Sequence, residues 1–236
     1  MSYGVSDVLM YSREVYLYYL RAYGDAFVGV HVLNAFLALV LPVLVWNPSF
    51  IGGWVSRYRH RGGSLILGYV WTWIAIGFHW TYFLPINYAA WAFLILFLLE
   101  AALFLVFGVL LGCIEYQMPF SGGASLAASG IRITGIAVYV FSLLGVPVMT
   151  WTWEGDLFHF GWTAEATVLG TMGLVLLVRN RWISYMLLPL PLLYALWSVV
   201  RAVEFGLVER YWLAAACVIV SGSQVAAHFV METSGE

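Results

Sequence analysis

Seven side chains in this sequence have the chemistry to act inside an apolar setting: His31, His79, Asn87, Glu100, Glu165, Gln224 and His228. His79 lies in Gly68–Asn87, GYVWTWIAIGFHWTYFLPIN, a stretch apolar enough to cross a bilayer and closed by Pro85-Ile86-Asn87. A histidine that deep in lipid must find a partner or a cavity. Glu100 sits near the middle of FLILFLLEAALFLVF, where a charge costs at least about 2.5–3.5 kcal/mol on insertion scales. No arginine is expected at its depth. It should therefore be a neutral carboxyl or take a polar partner such as Ser221 or Gln224.

At about 1.5 Å per helical residue, His31, His79 and Glu165 each fall roughly 5–10 Å inside the outer ends of their spans. Asn34, Asn87, His159, Arg201 and Glu204 lie near the same layer. Such a set could converge on a small ligand or a cation, and imidazole with carboxylate suits zinc, copper, iron or nickel. His79, His31 and Glu165 are the metal candidates, and His31 with His79 could serve a haem as axial ligands. No H-x-x-x-H or E-x-x-H pair sharpens this. The plainer reading is that each group bonds a neighbouring helix or snorkels to the interface. His31 shares a face with Asn34, Ala35 and Ala38, which reads as helix packing. Glu165 lies about 200° around its helix from Thr167. That sets it off the Thr163–Thr167–Thr171 stripe and toward headgroups.

One more helix carries a polar stripe. Arg210, Ala214, Cys217, Ser221, Gln224 and His228 stay within about 40° of one line at 3.6 residues per turn. That face should turn inward, either as interhelical hydrogen-bonding glue or as part of a water-lined path. With Glu100 central, His79 toward one side and Gln224 and His228 toward the other, a proton or ion route is geometrically open.

The elements that must position these groups follow from composition. Of 236 residues, 63% are hydrophobic and 9% charged, with mean hydropathy +0.90. A water-soluble domain carries about 25% charged residues, so the chain reads as a polytopic membrane protein of the all-α class. Seven runs approach the roughly 20 apolar residues a crossing needs. They are about Ala26–Trp46, Ser64–Leu84, Tyr88–Gly112, Ile131–Trp151, Trp162–Val178, Trp182–Val200 and Tyr211–Met231. Residues 1–25 form an amphipathic, interfacial segment, without the basic region and cleavage site of a signal peptide; residues 26–236 form one seven-helix domain. Arg57, Arg59, Arg61, Arg132, Arg179 and Arg181 fall on one side, against Arg13, Arg21, Arg201 and Arg210 on the other. The positive-inside rule then sets the N-terminus outside and the C-terminus in the cytoplasm. Trp46, Trp54 and Trp182 mark the inner interface; Trp91, Trp151, Trp153, Trp162 and Trp212 mark the outer. Prolines 42, 147, 189 and 191 should bend their helices.

Composition also excludes chemistry. Every basic residue is arginine, so a lysine nucleophile, a retinal Schiff base and a P-loop lysine are ruled out. No basic run offers a nucleic-acid footprint. Cys113 and Cys217 stand apart and read as small buried hydrophobes. G-x-S-x-G and H-E-x-x-H are lacking, and no catalytic motif is found.

Trp71-Thr72-Trp73, His79, Phe83 and Pro85-Ile86-Asn87, followed by Ala89-Ala90 and a phenylalanine-rich run, make a distinctive segment. Gly161-Trp162-Thr163 with Thr167, Thr171, Gly173 and Leu174 adds to it, and Arg201–Trp212 echoes it weakly. Together these resemble an uncharacterised family of bacterial multi-pass membrane proteins, a domain of unknown function. The resemblance implies a bacterial inner-membrane helical bundle and supplies no activity. Two positions depart from the expected pattern: Glu165 stands where a cysteine is expected, and Glu100 where a glutamine is expected.

The leading functional expectation is an integral membrane protein that binds or moves a small ligand, a metal ion or a proton through an outward-facing polar pocket. One alternative is a non-catalytic subunit or assembly factor packed on membrane-protein partners or on further copies of itself. Another is a haem-bearing membrane subunit.

Overall fold

A computed structural model describes residues 11–46, 53–119, 126–154 and 158–234. Among these the chain is all-α, built as follows. α1 (Arg13–Ala26) leads after a break at Phe27 into α2 (Val28–Trp46). α3 (Gly53–Trp73) continues as a π-helical stretch, Ile74–Phe83, and α4 (Ala90–Leu103) continues as a second, Phe104–Leu110. α5 (Leu126–Val140) passes through π-helical Phe141–Gly145 into α6 (Val146–Glu154). α7 (Ala164–Val175), α8 (Arg181–Leu187), α9 (Pro189–Phe205) and α10 (Glu209–Ser234) complete the bundle.

Among the described residues, four helices are long and apolar enough to cross a membrane: Val28–Val45, Ala90–Leu110, Leu126–Thr152 and Arg181–Phe205. Ala164–Val175 and Tyr211–Ala227 are shorter apolar helices. The outer surface agrees with a lipid surrounding. On α2, Val28, Val32, Phe36, Leu39 and Val43 recur at three- and four-residue steps and all are exposed. Leu193, Leu196, Val200 and Val203 repeat the pattern on α9. In water such stripes would be a liability; against acyl chains they are the expected surface. His31, Asn34, His79, Glu100, Glu165 and Arg201 lie inside instead.

α7 is the axis of the bundle. All twelve of its residues are buried, and it packs against α5, α9 and α10. A helix buried on every side needs no amphipathic pattern. Its contact with α5 is backbone-close: a Cβ on Gly135 would stand 2.6 Å from the Gly173 carbonyl oxygen, and one on Gly173 2.7 Å from the Tyr139 nitrogen. Small residues at such a crossing let two helices approach. The Tyr139 hydroxyl then reaches α2, donating to the Ala38 carbonyl at 2.6 Å.

α1 lies against the π-helical Ile74–Phe83. Ser12 caps it by accepting from the Val15 amide at 3.4 Å. Tyr16, Leu20, Tyr23 and Gly24 form its buried face. Leu188 separates α8 from α9, where Pro189 opens the second helix at a position that needs no amide donor.

The segment between α4 and α5 gathers the arginine-rich end. The Gln117 amide donates to the Leu177 carbonyl at 2.8 Å and the Arg179 amide to that of Glu115 at 2.7 Å. Arg132 donates to the Met118 carbonyl at 3.0 Å and to the Gln117 side chain. The Tyr116 amide donates to His60 Nδ1 at 3.2 Å. Cys217 is buried as expected, whereas Cys113 is exposed, because it falls in the turn that follows Gly112.

Candidate functional site

The site is built where α7, α9, α1 and the π-helical Ile74–Phe83 meet. Thr163 caps α7, accepting from the Ala166 amide at 3.4 Å. The Thr167 hydroxyl donates to the Thr163 carbonyl at 2.8 Å and accepts from the Gly161 amide at 2.8 Å. Gly161 has φ +80°, and a Cβ there would meet Asn34 at 2.7 Å. Its carbonyl accepts from Asn34 Nδ2 at 2.6 Å. Deeper along the same stripe, Thr171 accepts from Trp71 Nε1 at 3.0 Å. These bonds fix the α7 N-terminus and hence Glu165 in its first turn.

Glu165 points inward, which corrects the expectation that it faces headgroups. The threonines do not mark a single buried face: α7 is buried all round, so a side chain 200° away is also inside. Its Oε1 accepts from Arg201 at 2.5 Å, from the Tyr194 hydroxyl at 2.9 Å and from Ser198 at 3.5 Å. Tyr194, Ser198 and Arg201 follow i, i+4, i+7 on α9 and so share a face. That spacing was visible in the sequence and was the signal for this partnership. Arg201 is 1% exposed, and the Tyr16 ring of α1 covers its guanidinium at 4.4 Å. A charge pair at this burial survives because each side has several partners.

His79 lies against this cluster. Its ring meets Tyr194 edge-on at 5.8 Å, Phe97 at 4.8 Å and Phe93 at 5.8 Å. It sits in the π-helical stretch, where the Leu84 amide donates to the His79 carbonyl at 2.8 Å. Single π-turns occur frequently at functional sites, since they re-aim a side chain out of the α-helical register. Among the described residues, neither imidazole nitrogen of His79 has a hydrogen-bond partner, and neither carboxyl oxygen of Glu100 has one. Both residues are fully buried. Glu100 follows Phe97 by one turn on α4, about 4.5 Å further along the axis, so the two groups stand at successive levels.

The remaining candidates separate. His31 stacks on Trp162 at 4.5 Å and meets Tyr23 edge-on at 4.7 Å. A path of rings runs from it to His79: Tyr23 touches Phe78 at 5.4 Å, and Phe78 touches His79 at 5.2 Å. His31 and His79 thus belong to neighbouring aromatic clusters. His159 Nδ1 lies 2.8 Å from its neighbour's carbonyl, Phe160 O. Gln224 donates to Ser184 at 2.7 Å, so it is not the partner that Glu100 was expected to take. His228 lies on α10 with its side chain outside the described residues, as does Arg210. Asn87 ends the His79 segment, its Oδ1 accepting from the Ala89 amide at 2.9 Å.

No group of three His, Cys, Asp or Glu that could hold a metal ion forms among the described residues. Glu165 is committed to Arg201, and the two imidazoles lie in separate ring clusters. What the arrangement offers is a row of ionisable and hydroxyl groups: Arg201, Glu165, Tyr194, His79 and, a turn beyond Phe97, Glu100. Among the described residues the fold is therefore all-helical, with four helices long and apolar enough to cross a membrane and a polar row buried within. Comparison with protein-family models, with curated proteins and with solved structures finds no match.

Proposed function

We propose that this is a multi-pass inner-membrane protein of bacterial origin that handles a proton, or a small ligand together with a proton, in an outward-facing polar chamber. His79 and Glu100 are its titratable groups. The observation that carries this reading is that both are fully buried on adjoining elements while none of their polar side-chain atoms meets a partner. A buried group left unsatisfied costs about 1–3 kcal/mol. Two such costs at successive levels give the fold nothing back, which is how functional sites differ from structural pairs. Glu165 and Arg201 then act as a fixed pair that sets the field at the chamber mouth, and Tyr194 connects that pair to His79.

The chain is read as seven crossings, with α3 and its π-helical continuation, α7 and α10 adding to the four long apolar helices. The N-terminus is outside and the C-terminus is cytoplasmic, which puts the arginine-rich end with His60, Arg132 and Arg179 inside. Substituting His79 by Ala should abolish acidification of dye-loaded proteoliposomes driven by an imposed pH gradient, with insertion and unfolding midpoint retained. Unchanged acidification in a folded His79→Ala protein would show that His79 handles no proton.

A second reading, a non-catalytic subunit of a larger membrane complex, is favoured by Gly29, Gly130 and Gly222. These have open space where a Cβ would stand, so another helix could approach there. Stoichiometric partners retained in mild detergent would support it, and a stable monomer would count against it.

A further inference from the structure

A cavity of about 430 Å³ opens between α4, with its π-helical continuation, and the start of α9. Leu99, Ala102, Leu103, Val106, Phe107 and Leu190 line it, so its walls are wholly apolar. Both bordering segments belong to helices long and apolar enough to cross a membrane. Leu99 and Val106 are exposed, as are Met186 and Leu193 on the facing side. Glu100 is fully buried beside Leu99 and does not line the cavity.

Both walls lead to a cation. Trp182, Met186, Leu190 and Leu193 follow i, i+4, i+8, i+11 and share one face of α8 and α9. Leu188 keeps helical torsions (φ −82°, ψ −33°), so that face continues across the junction. At its end Trp182 is 67% exposed, and the Arg181 guanidinium stands over its ring at 5.7 Å. On the other wall Arg61 lies across Gly112, 3.2 Å from where a Cβ would stand. The Arg179 amide donates to the Glu115 carbonyl at 2.7 Å, which brings the two ends together. Arg179 is also paired with the Glu115 side chain at 3.2 Å. Among the described residues no carboxylate pairs with Arg61 or Arg181.

Depth and composition select the occupant. At about 1.5 Å per residue, Val106 stands roughly 9 Å from Gly112 and Leu190 roughly 14 Å from Arg181. One leaflet is about 15 Å of hydrocarbon, so the cavity is within an acyl chain's reach of both arginines. Lipid tails are as apolar as leucine, and a chain gains little by leaving bulk lipid for this slot. Choice among lipids must then come from the headgroup, where two arginines without a carboxylate favour negative charge. A partner helix fits less well. Ala102 is the one small residue among the six in the lining, and close helix approach relies on small residues.

We propose that this cavity holds an acyl chain of an anionic phospholipid from the leaflet on the arginine-rich side, with the phosphate held at Arg181 and Arg61. The test is native mass spectrometry of the full-length protein in detergent, incubated with equal amounts of phosphatidylglycerol and phosphatidylcholine of identical chains. Wild type should retain phosphatidylglycerol in preference to phosphatidylcholine. Ala102→Trp, at an exposed position, fills the slot and should abolish retention with the lipid-free unfolding midpoint unchanged. Val106→Trp, also exposed, should do the same and stands in if the first variant folds poorly. Arg181→Gln should lower the preference about fivefold, the worth of one arginine near an anionic surface. Equal retention of the two lipids by wild type would overturn the site, as would undiminished retention in both tryptophan variants. A preference unchanged in the double variant Arg61→Gln, Arg181→Gln would overturn it too. So would a wild-type dimer that Ala102→Trp dissolves, which would give the slot to a second copy of the chain. The readout uses no proton gradient and the varied residues lie outside the interior row, so the lipid site stands or falls apart from proton handling.

Discussion

Two buried carboxylates in this protein have opposite situations. Glu165 has three donors on one oxygen, and Glu100 has none. The physical consequences differ accordingly. Removing one half of the Glu165–Arg201 pair strands a charge, so Arg201→Met should destabilise by about 3–5 kcal/mol. Arg201→Met with Glu165→Leu should recover most of that loss. A double-mutant cycle of unfolding in detergent measures the coupling. Glu100→Leu should act the other way and raise stability by about 1–3 kcal/mol, because an unsatisfied polar group is replaced by an apolar one. The same variant should carry no protons. Glu100 was legible as the costliest residue from its apolar flanks alone. Its situation was not, because Gln224 is taken by Ser184 on α8, a contact that no single-helix pattern contains. Glu165 was misread for a related reason: period and stripe describe a helix with two faces, and α7 has no outer one.

At the scale of elements, the α5–α7 crossing and the loop beside His60 make the sharpest statements. Gly173→Ala puts a methyl group within 2.6–2.7 Å of backbone atoms of α5. The helices must part, and the cost should be about 1–3 kcal/mol, seen as a lower unfolding midpoint and lower yield of monodisperse protein. His60 precedes the apolar run that opens at Ser64, and burial with the adjacent Arg59 pushes its imidazole down to about 4. Its Nδ1 accepts the Tyr116 amide, and a protonated ring cannot. The folded-state pKa is thus depressed below the ordinary value near 6.5. The stability His60 contributes is fully present above about 6.5 and is lost as pH falls toward about 4. A His60→Gln variant should flatten the fall of the unfolding midpoint across that window. The presence of α2, α4, α5 and α9 was legible from length and apolarity. The expected span over Trp162–Val178 appears as a shorter apolar helix, α7, whose twelve residues cover about 18 Å of a hydrocarbon core near 30 Å.

For the whole molecule, aliphatic stripes face outward while His31, His79, Glu100, Glu165 and Arg201 are held inside. Charge asymmetry and the family resemblance both come from sequence; the interior row comes from packing between helices distant in the chain. Residues 16, 79, 165, 194 and 201 meet across four elements, and no local pattern brings them together. The orientation proposed above predicts that a reporter fused after Glu236 fluoresces or acts on the cytoplasmic side, and that one fused before Met1 reads as external. We propose that the unpartnered interior groups His79 and Glu100 move protons. The most direct test is proton uptake by proteoliposomes holding wild-type protein, Glu100→Gln protein or none, under the same imposed gradient. Uptake above that of the empty vesicles is expected for wild type, with its loss in Glu100→Gln. Equal uptake by wild type and Glu100→Gln, or by wild type and empty vesicles, would contradict it.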